Sequence, residues 1–123
     1  QPGARRYDMG ERSNPILLPM ALESLRRILD WGVENISEYT GGLTDRISER
    51  AADMGIETVQ KERRVRHMIG LRLGSTAPKD LATRLAARNI SVSVRGESVR
   101  VSPHLYNTER DVDRLFTALK EIL

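Results

Sequence analysis

The stretch Ile90-Ser91-Val92-Ser93-Val94-Arg95-Gly96-Glu97-Ser98-Val99-Arg100-Val101-Ser102-Pro103 decides how this chain is read. Ile90, Val92 and Val94 alternate with polar residues, and so do Val99 and Val101. Alternation with a period of two is the mark of a half-buried strand. Gly96-Glu97 between the two runs is a turn short enough for a two-residue hairpin. Pro103 ends the second strand, because it can give no amide hydrogen to a ladder. By the same alternation Arg100 shares a face with Ser98 and Ser102, opposite Val99 and Val101.

The pattern extends both ways from the hairpin. Upstream, Val65, His67, Ile69, Leu71 and Leu73 alternate with Arg66, Met68, Gly70 and Arg72, which predicts another strand. Ser75-Thr76-Ala77-Pro78 opens a third helix that carries Leu81, Leu85 and Ala86. Downstream, Thr108-Glu109-Arg110-Asp111 fits a capping box for a final helix. That helix should bury Val112, Leu115, Phe116, Leu119 and Ile122, which recur at helical spacing.

Two helices precede the strands. The first starts at about Ile16 and stops at Gly32, with Pro19 tolerated only in its opening turn. Its apolar positions run through Leu17, Leu18, Met20, Leu22, Leu25, Ile28, Leu29 and Trp31, more than one stripe, so the helix is expected to be mostly buried. The second runs from about Val33 to Met54. Val33, Ile36, Tyr39, Leu43, Ile47 and Ala51 give it one narrow apolar face, and Gly41-Gly42 marks a kink or a close contact. Residues 1–14 are polar and turn-rich, and they read as an arm ahead of a single domain over 15–123. The order is helix, helix, strand, helix, strand, strand, helix. The expected fold is α+β: a small, mainly antiparallel sheet of three or four strands with helices on one face.

Composition limits what such a domain can be. The chain has 123 residues, 39% hydrophobic and 30% charged, a balance suited to one globular domain. No apolar run approaches the roughly 18 residues that a membrane helix needs. There is no cysteine, so disulfides, thiolate metal sites and cysteine nucleophiles are excluded, and a cytoplasmic location is expected. Seventeen arginines and three lysines stand against 17 acidic residues, for a net charge of +3. The arginines are dispersed and the five aromatics do not interleave with them, so the surface reads as mixed rather than as a nucleic-acid face. His67 and His104 lie in different elements without metal-ligand spacing, and His67 on its strand reads as structural. There is no Gly-x-Ser-x-Gly elbow and no phosphate loop ending in GKS or GKT. The opening Gln1-Pro2-Gly3-Ala4-Arg5-Arg6 reads as the middle of a longer chain. Arg95 and Arg100 flank the hairpin turn. An arginine on a rigid strand can bind a carboxylate through two parallel charge-assisted hydrogen bonds, although both could also be exposed edge residues.

The stretch from Val99 to Thr108 (Val-Arg-Val-Ser-Pro-His-Leu-Tyr-Asn-Thr), followed by Asp111-Val112-Asp113-Arg114-Leu115, resembles a known signature. It is that of the C-terminal small domain of class V aminotransferase-like enzymes. These are fold-type I pyridoxal-phosphate enzymes, among them kynureninases, isopenicillin-N-epimerase-like proteins and cysteine desulfurases. Arg6-Tyr7-Asp8-Met9-Gly10-Glu11 resembles the family's Arg-Phe-Glu-x-Gly-Thr segment. Arg12-Ser13-Asn14-Pro15-Ile16-Leu17-Leu18 resembles the kynureninase-type Ser-Asn-Pro segment. Trp31-Gly32-Val33-Glu34-Asn35-Ile36 resembles a Gly-x-x-x-Ile hinge between helices.

The resemblance implies roles. Arg100 would hold the α-carboxylate of an amino-acid substrate, with Arg95 nearby. Ser13 and Asn14 would reach the cofactor or substrate edge in the partner subunit of a homodimer. Tyr106 and Asn107 would be structural, packing and starting the final helix. The Schiff-base lysine and the aspartate that pairs with the pyridine nitrogen would lie upstream of residue 1, since Lys61, Lys79 and Lys120 match no such context. The chain would then be one domain of the enzyme, partnered by a large pyridoxal-phosphate-binding domain of the same polypeptide and inactive alone. The absence of cysteine argues against desulfurase chemistry and leaves transamination, epimerisation or a kynureninase-like lyase. The alternative from another class is a stand-alone α+β binding module without a catalytic role.

Overall fold

The computed structural model describes residues 2–7 and 14–123. They fall into two compact units, residues 1–33 and 34–123.

In the first unit a short 3₁₀ turn, Gly3–Tyr7, precedes helix α1, Leu17–Trp31. Asn14 starts α1: its side-chain Oδ1 accepts the Leu17 amide at 2.8 Å and its carbonyl accepts the Leu18 amide at 3.0 Å. Asparagine followed by proline is a strong helix start, because the carboxamide satisfies an orphan amide and proline lacks the one it would leave. Gly32 takes φ 79° and ends α1, returning its amide to Ile28 and Leu29. The expectation that α1 is buried does not hold. None of its residues is buried, and even Ile28 is 39% exposed. The described part of this unit has no second element broad enough to cover the helix. An apolar pattern specifies which face wants a partner, not whether the same chain supplies one.

The second unit holds α2 (Val33–Asp53, from Glu34 onward), α3 (Leu81–Ala86), α4 (Glu109–Ile122) and a four-stranded sheet. The strands are β1 (Glu57–Thr58), β2 (Ile69–Arg72), β3 (Ser93–Arg95) and β4 (Ser98–Val101). Their order across the sheet is β1-β2-β4-β3, and every neighbouring pair is antiparallel. The expected α+β class and element order are those observed. Ile69, Leu71 and Val99 point to one side of the sheet. There they join Leu43, Ile47 and Ala51 of α2, Leu81 and Leu85 of α3, and Val112, Leu115, Phe116, Leu119 and Ile122 of α4. Burying each large side chain of this set contributes roughly 1.5–3 kcal/mol.

The differences from expectation lie at element ends. The strand read over Val65–Leu73 forms only at Ile69–Arg72, and His67 sits in the preceding turn, exposed, rather than on a strand. Lys61–Arg63 make a 3₁₀ turn that charge holds to α2. Asp45 accepts from Lys61 at 2.6 Å and from Arg64, whose side chain is only 7% exposed. These donors, Lys61 foremost, hold the Asp45 carboxyl below its ordinary value. Ile90 and Val92 pack against the core without joining the sheet, and α3 starts at Leu81, after Pro78. The two-residue β1 carries too little pattern to be seen in the sequence.

Gly41 and Gly42 have distinct roles. Arg66 lies across α2 at Gly41, with Nε donating to the Ser37 carbonyl at 3.0 Å, and a Cβ at Gly41 would overlap its guanidinium. A Cβ at Gly42 would meet nothing. Gly42→Ala should therefore raise stability by about 1 kcal/mol, the helix-propensity difference. Gly41→Ala should gain less, because Arg66 must move and lose its bond to Ser37. Urea melts of the two variants test this ordering, and equal gains would contradict the Arg66 contact.

Candidate functional site

The strand register defines the face of the sheet that no helix of the second unit covers. Glu57, Arg72, Ser98 and Arg95 form one cross-strand row on that side, and Gly70, Arg100 and Ser93 form the next. The alternation that turns Ile69, Leu71 and Val99 inward turns these residues outward. Arg100 therefore rises from a central strand between a glycine and a serine. A Cβ at Gly70 would meet nothing within 4 Å, so the space beside Arg100 is open. Arg95 stands at the hairpin end, where Gly96 takes φ 57°, the conformation a type II′ turn requires at its first position. Among the described residues, no carboxylate lies within ion-pair distance of Arg95 or Arg100. Arg72 has Glu57 at 3.7 Å, with both side chains mostly exposed. Such a pair is worth little and competes weakly with a ligand.

The strand that bears Arg100 is locked at its far end. Buried Pro103 leads into a turn in which the Asn107 amide donates to the His104 carbonyl and Asn107 Oδ1 accepts the His104 amide, both at 2.9 Å. The Tyr39 hydroxyl of α2 donates to the Asn107 carbonyl at 2.7 Å. The capping box follows, with Asp111 Oδ2 accepting the Thr108 amide at 2.9 Å. That amide bond holds the Asp111 carboxyl below its usual range. Arg46 of α2 adds ion pairs to Glu109 at 2.9 Å and to Asp113 at 3.2 Å on α4. Asn107 thus fixes the entry to α4. Tyr106 is 79% exposed and stacks on His104, with ring centroids 4.9 Å apart.

The residues singled out by sequence thus divide. Arg100 and Arg95 share the open face. Asn14 belongs to the first unit, where it caps α1, and Ser13 lies outside the described residues. The sequence pattern alone does not mark Tyr39, Gly70 or Arg72 as part of a site. A lone glycine between apolar strand positions was the available signal for Gly70, since it often marks close approach of a ligand or backbone. The lysines lie elsewhere: Lys61 on Asp45, Lys79 ahead of α3 and Lys120 exposed on α4. A cavity of about 140 Å³ opens on the helix side, lined by Ile47, Ile90, Val92, Val101 and Leu115 among others, and does not include Arg100. Among the described residues there is no cluster of side chains that could hold a metal ion. No helix among them is long and apolar enough to cross a membrane.

Comparison with known proteins gives a consistent result. No family model matches the sequence, and no curated protein matches it. Solved structures do. An alanine–glyoxylate aminotransferase from Nostoc sp. is 28% identical, with a TM-score of 0.73 over 98% of this chain and 34% of its own. A cysteine desulfurase from Thermococcus onnurineus is 19% identical, with a TM-score of 0.68 over 78% of this chain and 28% of its own. A NifS-like protein from Rickettsia africae is 17% identical, with a TM-score of 0.65 over 73% of this chain and 29% of its own. The resemblance to a small domain of class V aminotransferase-like enzymes is borne out. The chain spans about a third of the length of these structures.

The cap at Asn14 makes a separate prediction. In the intact protein Asn14→Ala should cost about 1 kcal/mol and reduce helicity, whereas Asn14→Ser should preserve both. Circular dichroism and thermal melts read the difference. Equal loss in both variants would show that the carboxamide serves something other than the cap.

Proposed function

We propose, from its class V aminotransferase-like fold, that this chain is the C-terminal small domain of a pyridoxal-phosphate enzyme acting on an amino acid. In this reading Arg100 holds the substrate's α-carboxylate. The observation that carries it is the placement of Arg100: a central strand, an open face, small neighbours and no carboxylate partner among the described residues. A guanidinium offered this way makes two parallel charge-assisted bonds to a carboxylate. The locked turn from Pro103 to Asn107 keeps its strand from shifting as the ligand arrives, so orientation is set before binding. Arg95 lies on the same face, one strand away, and assists.

Pyridoxal phosphate serves amino-acid chemistry as an electron sink. The described residues of this chain do not fit it, because no lysine stands on the open face. Bond breaking then belongs to a large domain elsewhere in the same polypeptide, and this chain contributes recognition and orientation. The bare apolar face of α1 supports that division. Leu17, Leu18, Leu22, Leu25 and Leu29 are all exposed. Each forgoes a part of the roughly 1.5–3 kcal/mol that full burial against a partner surface would supply. Such a face fits a domain of a larger enzyme better than a free-standing binding module. Ser13 and Asn14 are assigned to the subunit edge of a homodimer, and the enzyme to the cytoplasm, in keeping with a chain without cysteine.

The test uses the full-length enzyme. A visible absorbance band that bleaches with borohydride is expected, and the amino acid that shifts it identifies the substrate. Arg100→Lys replaces a two-pronged donor by a point charge. It should raise KM for that amino acid by on the order of ten- to a hundredfold, the loss of one hydrogen bond to a charged group, with little change in kcat. Unchanged kinetics would remove Arg100 from the site.

A further inference from the structure

The open sheet face carries more positive charge than one carboxylate requires. Arg72 and Arg95 both stand opposite Ser98, on the two strands that flank β4. Strands lie about 4.8 Å apart, so their backbones are roughly 10 Å from each other. Arg100, two residues along β4, is a diagonal neighbour of both, about 7–8 Å away. No two of the three arginines are directly opposite, where like charges would repel most. Serine or glycine occupies every position between them: Gly70, Ser93 and Ser98. Among the residues of these two rows the acidic one is Glu57, at the outer strand and 3.7 Å from Arg72. The result is a triangle of three guanidinium side chains over small residues, with a net charge of about +2 and no bulky side chain to fill it.

The geometry points to a substrate with a second acidic group: a dicarboxylic amino acid, whose α-carboxylate meets Arg100 and whose side-chain carboxylate meets Arg95, with Arg72 in support. This rests on the assignment of Arg100 to the α-carboxylate and adds the substrate class. Charge complementarity selects the occupant, since a substrate with one carboxylate would leave the Arg95 guanidinium unmatched, Arg72 having Glu57 beside it. Arg95 is the better second anchor, because it has no acidic partner among the described residues and Arg72 must share with Glu57. A neutral amino acid would gain nothing from Arg95, so this residue would act on selectivity rather than on binding in general.

Calorimetric or NMR titration of the full-length protein with succinate and with butyrate separates the two claims, because these acids share a carbon count and differ in one carboxylate. Succinate should bind about tenfold or more tightly than butyrate. Arg95→Gln should bring succinate down to the level of butyrate and leave butyrate unchanged, and Arg72→Gln should weaken succinate less. Arg100→Gln should weaken both acids. Equal binding of the two acids, with Arg100→Gln still weakening both, would overturn the dicarboxylate inference and leave Arg100 in place. Binding of both acids indifferent to Arg100→Gln would overturn the two claims together. Circular dichroism confirms the fold of each variant.

Discussion

Ile69, Leu71 and Val99 turn toward the same core as Leu43, Ile47 and Phe116, and this one-sided burial dictates where every other residue of the sheet can stand. Successive side chains of a regular strand point to opposite faces of the sheet. Once the apolar set is committed to the helices, Gly70, Arg72, Ser98 and Arg100 must occupy the other side. A one-residue slip would bury Arg100 and expose Val99, so the register that builds the core also delivers the arginine. The hairpin turn at Gly96 and the ladder between β2 and β4 hold that register. The stability of the core and the position of the candidate site therefore depend on the same constraint.

The far end of β4 shows how a helix can steady a binding strand without touching the ligand. Tyr39 lies on α2, yet its hydroxyl fixes the Asn107 carbonyl in the turn that follows β4. The capping box at Thr108 and the Arg46 ion pairs add to this tie between α2 and α4. None of the ion pairs is large by itself, since their side chains remain partly exposed. Together with the buried face of α4 they leave the backbone beside Arg100 little freedom to move.

Sequence reasoning recovered the parts whose signals are local. The hairpin showed in its alternation and its glycine turn. The start of α4 showed in its capping box, and its core face in its spacing. The final helix buries every residue expected of it: Val112, Leu115, Phe116, Leu119 and Ile122. What was missed depends on long-range pairing or on partners. The two residues of β1 form a strand only because β2 is there to pair with. His67 alternates with its neighbours, yet it lies in a turn ahead of β2, in a segment whose Arg64 pairs with Asp45 of α2 instead of a neighbouring strand. The glycine pair was legible as an anomaly, but only the fold shows that Gly41 makes room for Arg66 and Gly42 does not. Periodicity read α1 as apolar on more than one stripe and therefore mostly buried, but spacing says nothing about what would cover a helix, and none of its residues is buried. Arg100 and Arg95 were found by pattern and resemblance together, whereas Gly70 and Arg72 needed the register between distant strands.

The central claim is that the open sheet face is a carboxylate-binding surface with Arg100 at its centre. Arginine footprinting of the full-length protein, by modification with a dicarbonyl reagent and mass spectrometry, tests it most directly. Without ligand, Arg100 should react as readily as exposed arginines on the helices, such as Arg110. In the presence of an amino-acid substrate or a carboxylate analogue, Arg100 should be protected while Arg110 remains reactive. An Arg100 whose modification is unaffected by any carboxylate that binds the protein would contradict the account.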